Sequence, residues 1–288
     1  MKVSYYPGCS LEASARDYQE SIEGVCKRLG IELVELEDWN CCGATAAHSL
    51  NHRASVELPG RNLVIAEKGE TDLVAPCPLC FNRLKAAEKA LLNGENGDYR
   101  YTIEGKVKIW DLADFMAQEK VLGLIESKVT NLLEGIRAVC YYGCMSSRPP
   151  KVTGAENCEN PMSMDKILTR LGAEPIDWAY KTDCCGASHV VDRPDMVFKM
   201  VGKLYQRALE VGANCIVVSC QMCQANLDIY QEKIGAELGV TVDLPIIYFT
   251  ELIGLAMKER EVEKWLSRHF VDPLTFLGEQ DLLARSWV

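Results

Sequence analysis

The amino-acid sequence predicts an α/β protein made of two pseudo-symmetric repeats, each a small, mostly parallel sheet with flanking helices. Three observations carry this prediction. The tetrapeptide Cys41-Cys42-Gly43-Ala44 recurs as Cys184-Cys185-Gly186-Ala187. In both places a Cys-x-x-Cys begins 35 positions after the second cysteine, at Cys77/Cys80 and at Cys220/Cys223, so residues 41–80 map onto 184–223 without a gap. Such self-similarity at a fixed offset is the signature of a duplicated unit. Within each half, short apolar runs alternate with segments of helical periodicity, as strands joined by helical crossovers do.

The elements follow in order. Residues 2–6 read as a first strand, and a helix follows with Tyr18, Ile22, Val25, Cys26 and Leu29 on one face. Residues 31–36 and 71–75 read as the second and third strands, with a helix over about 54–68 between them. The second half mirrors this with a strand at 138–142, a helix near 164–171 and a strand at 173–177. A helix with Val197, Val201, Leu204, Ala208 and Val211 on one face then leads to a strand at 215–218. Gly69 falls on Gly212, Tyr6-Pro7-Gly8-Cys9 matches Tyr141-Tyr142-Gly143-Cys144, and the apolar runs 107–110 and 246–249 each precede helix-like sequence. The boundary between repeats is expected between Phe115 and Arg137. This gives a first cysteine-bearing domain over 1–130, a second over 131–260, and a C-terminal charged helix and tail over 261–288 without a counterpart. That tail is expected to cap the fold or meet a partner.

Composition bounds the function. Of 288 residues, 48% are hydrophobic and 25% charged, the balance of a soluble globular protein. A formal charge of −10 argues against a nucleic-acid partner, which needs clustered Lys and Arg. The longest apolar stretch, 245–257, is broken by Thr250, Glu251 and Gly254 and falls short of the roughly 18–20 residues of a membrane span. The N-terminus runs straight into strand-like sequence with no signal-peptide pattern, so a cytoplasmic protein is expected. There, fourteen cysteines point to metal binding or thiol chemistry rather than disulfides.

Ten of those cysteines fall in the repeated pattern. Cys9 and Cys144 close the first strand of each half after a glycine that permits a tight turn. Cys77 and Cys220 close the third strand, and each Cys-x-x-Cys opens a helix whose free N–H groups favour thiolate and hydrogen-bond cluster sulfur. In a parallel sheet these strand ends gather on one edge. Side chains of vicinal cysteines in extended backbone diverge, so Cys41 and Cys42, like Cys184 and Cys185, more easily reach two irons than chelate one. Gly43 and Gly186 let the backbone lie close to inorganic sulfide. A cubane cluster or a structural zinc takes four thiolates, whereas each half offers five.

This pattern, Cys-(31)-Cys-Cys-Gly-(33)-Cys-x-x-Cys, repeated after Cys144 with a first gap of 39, resembles the tandem cysteine-rich CCG domain family. A chain of this length bearing only that pair resembles the B-type subunit of heterodisulfide reductase. The resemblance implies two noncubane 4Fe–4S clusters, one on Cys9, Cys41, Cys42, Cys77 and Cys80, the other on Cys144, Cys184, Cys185, Cys220 and Cys223. It implies reduction of a mixed disulfide of coenzymes M and B, or a related small-molecule disulfide, cleaved between the clusters with Cys42 and Cys185 at the reacting centres. The implied partners are an iron–sulfur subunit (the C type) and a flavin-bearing subunit (the A type) of heterodisulfide reductase, with a hydrogenase or formate dehydrogenase acting through the flavin-bearing one. One departure stands out: methanogen members are expected to carry His directly after the first cysteine of the second half, where this chain has Met145. His189 and His48 are the nearest replacements as proton donors in sequence.

Three cysteines, Cys26, Cys140 and Cys215, sit in apolar elements and read as core; Cys158 lies in a polar loop without an evident role. Trp39 and Trp178 precede the Cys-Cys-Gly turns, as site walls or simple packing. Two rival classes remain. One is an electron-transfer subunit of another oxidoreductase complex, of the lactate, glycolate or glycerol-3-phosphate type or from bacterial sulfur metabolism. Those subunits commonly carry a C-x-x-C-x-x-C-x-x-x-C-P segment, which these residues lack. The other is a zinc-stabilised scaffold.

Overall fold

A computed structural model describes residues 1–94 and 98–283. It contains two four-stranded sheets. The first is built from β1 (Lys2–Tyr5), β2 (Glu32–Glu35), β3 (Leu73–Ala75) and β4 (Ile109–Asp111) in the order β2-β1-β3-β4. The second uses β5 (Arg137–Tyr141), β6 (Glu174–Ile176), β7 (Cys215–Val218) and β8 (Ile246–Tyr248) in the order β6-β5-β7-β8. All six pairings are parallel, and the registers repeat: Leu73 stands opposite Ile109 as Ile216 stands opposite Ile246. The first-half fourth strand thus begins two residues later than its apolar run, at Ile109 rather than Val107.

Strands β3 and β7 are buried along their whole length, which explains their continuous apolar sequence. The Arg16–Leu29 helix buries Tyr18, Ile22, Val25, Cys26 and Leu29, the face that the sequence periodicity marks, and ends on Gly30 in the left-handed conformation at φ 69°. In the second half the Pro194–Glu210 helix buries Val197, Val201, Leu204 and Ala208. Val211, expected on that face, instead follows the last helical turn and is exposed.

The halves interlock through the Arg16–Leu29 helix and the fully buried Phe249–Ala256 helix. The Tyr18 ring stacks on Tyr248 at 4.2 Å and donates its hydroxyl to the Ser219 carbonyl, while Ser21 and Thr250 hydroxyls meet at 2.6 Å. The C-terminal segment caps this junction. Trp265, from the short Val262–Leu266 helix, lies in a cradle between Gly24 and Gly254, where added Cβ atoms would stand 2.8 and 2.7 Å from its ring. Beyond it His269 is buried between Glu251 and Asp17, and Asp228 accepts the Phe270 and Val271 N–H groups. The Pro273–Glu279 helix buries Leu277. The described part of the tail therefore covers the fold; residues 284–288 of it lie outside the described residues.

Candidate metal centre

Because each sheet is parallel, the carboxyl ends of β1, β2 and β3 share one edge, as do those of β5, β6 and β7. The five cysteines of each repeat follow those three ends. Cys9 stands after β1 and begins a one-turn helix, and the Cys-Cys-Gly follows β2. Cys77 is the N-cap of the Pro78–Asn93 helix, whose first position tolerates a proline because its N–H would have no helical partner. Cys220 is likewise the N-cap of the Gln221–Asp228 helix.

The vicinal pairs diverge. In the first repeat Cys41 is exposed and lies 3.9 Å from Cys9, whereas Cys42 is buried and lies 3.2 Å from Cys80, sulfur to sulfur. In the second, Cys184 is exposed beside Cys144, and Cys185 is buried 3.7 Å from Cys223. The Cys-x-x-Cys thiols are also in contact, Cys77 with Cys80 and Cys220 with Cys223. In each repeat a more exposed pair of thiols and a buried trio are joined through the vicinal cysteines, Cys41-Cys42 or Cys184-Cys185. The turn behind each pair is made by a glycine in the left-handed region, Gly43 at φ 73° and Gly186 at φ 78°, whose N–H points at the sulfur of Cys41 or Cys184 at 3.4 and 3.3 Å. A second glycine is needed before the first cysteine. Cβ atoms on Gly8 and Gly143, both at positive φ, would stand 2.9 and 3.0 Å from the sulfurs of Cys80 and Cys223.

Crowding several thiols pulls their acidities apart. The Cys80 thiol beside it, with help from the Gln221 amide and first-turn N–H groups, holds Cys77 at about 7 against the effect of burial. Cys144 and the Gly186 N–H hold Cys184 at about 6, and Cys223 holds Cys185 at about 7. The donating partners Cys80, Cys144 and Cys223 are pushed up in turn. Each site thus mixes thiols held down, Cys42 and Cys77 or Cys184 and Cys185, with thiols pushed up, Cys41 and Cys80 or Cys144 and Cys223. By contrast burial alone raises Cys215 to about 12, and burial with Glu23 raises Cys26 to about 12; these two and Cys140 are core thiols away from the sites. Cys158 is half-buried, 3.6 Å from the Glu159 carboxylate, and joins neither group.

Both histidines singled out in the sequence lie exposed. His48 contacts the Ser49 hydroxyl at 3.3 Å, and His189 lies 3.5 Å from Asp192, with its charge acting on Cys184. Met145 offers its carbonyl to the Asn82 amide.

Other residues shape the sites as well. Tyr6 donates its hydroxyl to the Asn40 carbonyl, and Tyr141 to the Asp183 carbonyl, so the residue before each Cys-Cys pair is latched to the strand that precedes the first cysteine. The matched Tyr-x-Gly-Cys segments carried this signal in the sequence. Trp39 and Trp178 pack edge-on against those two tyrosines, at 5.3 and 6.2 Å. Contacts between repeats had no sequence signal. Asn82, two residues after Cys80, donates to the Met145 and Arg148 carbonyls of the second repeat, and Gln221, the residue after Cys220, donates to the Cys77 sulfur at 2.9 Å.

The donor set fits an iron–sulfur group: five thiols per site, glycine N–H groups aimed at sulfur, and glycines where a Cβ would crowd it. Arg83 Nε, Gln221 Oε1 and Asn226 Oδ1, on side chains that act on Cys42, Cys77 and Cys185, are buried without a hydrogen-bond partner. Among the described residues no helix is long and apolar enough to cross a membrane.

Comparison with known proteins agrees with this geometry. The fold is shared with a hypothetical protein of Helicobacter pylori at a TM-score of 0.71 and 10% identity, over 94% of this chain and 52% of that one, so the chain spans about half of that structure. The 8-methylmenaquinol:fumarate reductase membrane anchor subunit of Wolinella succinogenes is 31% identical over 282 residues, covering 94% of this chain and 97% of its own. The B-type subunit of the ferredoxin:CoB-CoM heterodisulfide reductase of Methanosarcina mazei is 23% identical, covering 96% of each chain. A protein of Archaeoglobus profundus, itself like the B-type subunit of heterodisulfide reductase, is 27% identical over 89% of this chain and 91% of its own. The cysteine-rich CCG domain matches twice, at residues 3–85 and 138–228, which together contain all ten clustered cysteines. The chain belongs to the CCG cysteine-rich domain family, as a tandem pair related to the B-type subunit of heterodisulfide reductase.

Proposed function

We propose that the chain is the iron–sulfur subunit of a heterodisulfide-reductase-type oxidoreductase complex. Each five-cysteine site holds a noncubane 4Fe–4S cluster, and a small-molecule disulfide, the coenzyme M–coenzyme B heterodisulfide or a related one, is reduced to two thiols. The observation that supports this reading best is the duplication of the site itself: two five-thiol sets with the same glycine turns and the same tyrosine latches. Bound clusters would supply single electrons to a disulfide, whose cleavage takes two.

The chain's own residues do the rest. Cys9, Cys41, Cys42, Cys77 and Cys80 would hold one cluster, and Cys144, Cys184, Cys185, Cys220 and Cys223 the other. Cys42 and Cys185, the buried members of the vicinal pairs, would be the ligands at the reacting centres, beside the exposed Cys41 and Cys184. His189, whose charge acts on Cys184, would deliver a proton to the thiolate released at the second site, and His48 at the first. Electrons would arrive through an iron–sulfur subunit (the C type) and a flavin-bearing subunit (the A type), with a hydrogenase or formate dehydrogenase upstream.

A second reading, an electron-transfer subunit of another oxidoreductase complex, draws support from the 31% identity to the fumarate reductase anchor protein. The assembled complex separates them. Heterodisulfide turnover with reduced ferredoxin supports the first reading. Fumarate reduction with quinol, and none of heterodisulfide, transfers the proposal to the second.

A further inference from the structure

The two sites are built alike but not charged alike. At the first, the Gln221 side chain crosses from the second repeat, and its amide donates to the Cys77 sulfur at 2.9 Å. The position of the repeat that mirrors Gln221 is Pro78, which has no side-chain donor to return to Cys220. Gln221 is 3% exposed, and its Oε1 has no hydrogen-bond partner. Burying an amide with one end unsatisfied costs stability, so packing alone does not account for it.

Two further mirror pairs lean the same way. Arg83, whose positive charge acts on Cys42, corresponds to Asn226, which donates to the Cys185 carbonyl and hydrogen-bonds the Cys185 thiol but brings no charge. Neutral Asn40, before the first Cys-Cys pair, corresponds to Asp183, whose negative charge acts on Cys184. On the second site's side of the balance, Lys203 lies 4.0 Å from Asp183, and His189 is engaged by Asp192 at 3.5 Å. Both cations are more than half exposed and already face a carboxylate, so solvent screens them more than the buried Gln221 contact.

We propose that Gln221 is a positioning residue that sets the two clusters apart in potential, making the first-repeat cluster the more easily reduced. Reduction adds negative charge to the cluster and its thiolates, and a buried N–H donor to a ligand sulfur stabilises that charge. The second repeat thereby tunes the first repeat's site, and electrons settle on the Cys77 side before the Cys220 side. The inference rests on the cluster reading above.

The test is a redox titration followed by electron paramagnetic resonance on the cluster-loaded protein, comparing wild type with Gln221→Leu and Gln221→Glu, with iron measured in each. The wild type should show two midpoint potentials. In Gln221→Leu the higher one should fall, with the reduced-to-oxidised ratio at the wild-type midpoint dropping about tenfold, or about 59 mV for one electron. The lower one should stay. Gln221→Glu, nearly isosteric and without the donor, should lower the same midpoint at least as far, and it decides the matter should the leucine variant lose iron. An unmoved pair of midpoints at full iron content overturns the tuning and leaves the cluster reading standing. A fall in the lower midpoint, or an equal fall in both, overturns it as well. Wild-type protein without iron overturns the cluster reading and the tuning together.

Discussion

Gly8 turns left-handed, at φ 74°, directly against the Cys80 sulfur, so that a Cβ built on it would stand 2.9 Å away. Gly143 stands in the same relation to Cys223 at 3.0 Å. Alanine at either position meets two obstacles, a positive φ costing roughly 1 kcal/mol and a sulfur that a ligand set cannot let move. Gly8→Ala and Gly143→Ala should each lose about half the bound iron while the fold survives by circular dichroism. Full iron in both variants would show that the close approach is incidental.

The tyrosine latches give a gentler perturbation. Tyr6→Phe removes the hydrogen bond to the Asn40 carbonyl, and Tyr141→Phe the one to Asp183. Each should cost about 1 kcal/mol in denaturant unfolding. Each should also speed iron release to a chelator from one site only, because the Cys-Cys-Gly turn loses its tie to β1 or β5. Uniform release from both sites would argue against separate latches.

Cys26, Cys140 and Cys215 are buried thiols outside the ligand groups. Substitution by alanine should cost about 0.5–3 kcal/mol of stability, the usual range for a core truncation, and leave iron and sulfide content at the wild-type level. Loss of half the iron on changing any of the three would reassign it as a ligand.

His269 offers a pH-dependent test of the C-terminal cap. Burial disfavours its charged form, but the carboxylates of Glu251, Asp228 and Asp17 outweigh burial and raise it to about 9. A group whose pKa is raised on folding stabilises fully below its unfolded value, near 6.5, and loses that contribution as pH climbs through the folded value. Stability should therefore decline between about pH 6.5 and pH 9 in wild type. His269→Gln should be less stable at pH 6 and should flatten that decline. A variant whose stability tracks wild type across the range would remove the charged histidine from the account.

Much of this architecture was legible in the sequence because a duplication writes each constraint twice. Two copies of Cys-Cys-Gly with a fixed distance to Cys-x-x-Cys marked the cysteines that the fold brings to one edge of each sheet, and apolar periodicity placed the strands and the Tyr18–Leu29 helix face. What escaped was whatever crosses between the repeats. Gln221 reaching Cys77 and Asn82 reaching Met145 join residues 144 and 63 positions apart, with no periodicity or spacing to announce them. The capping of the junction by Trp265 and His269 was equally hidden, since a short charged helix does not reveal what its few apolar residues cover. Val211 was misplaced for a simpler reason: the helical period continues in the sequence one residue past the turn where the helix stops.

Under the proposed function the two cysteine sets hold two clusters, and both are needed for disulfide cleavage. The most direct measurement is iron and acid-labile sulfide content beside heterodisulfide turnover in wild type, Cys42→Ala and Cys185→Ala. The wild type should carry about eight irons, from two four-iron clusters, and each variant about half. Turnover should collapse in both variants, because one sulfur of the substrate loses its acceptor and one electron its source. Near-normal turnover in either variant, or loss of all iron from a single substitution, would contradict the account.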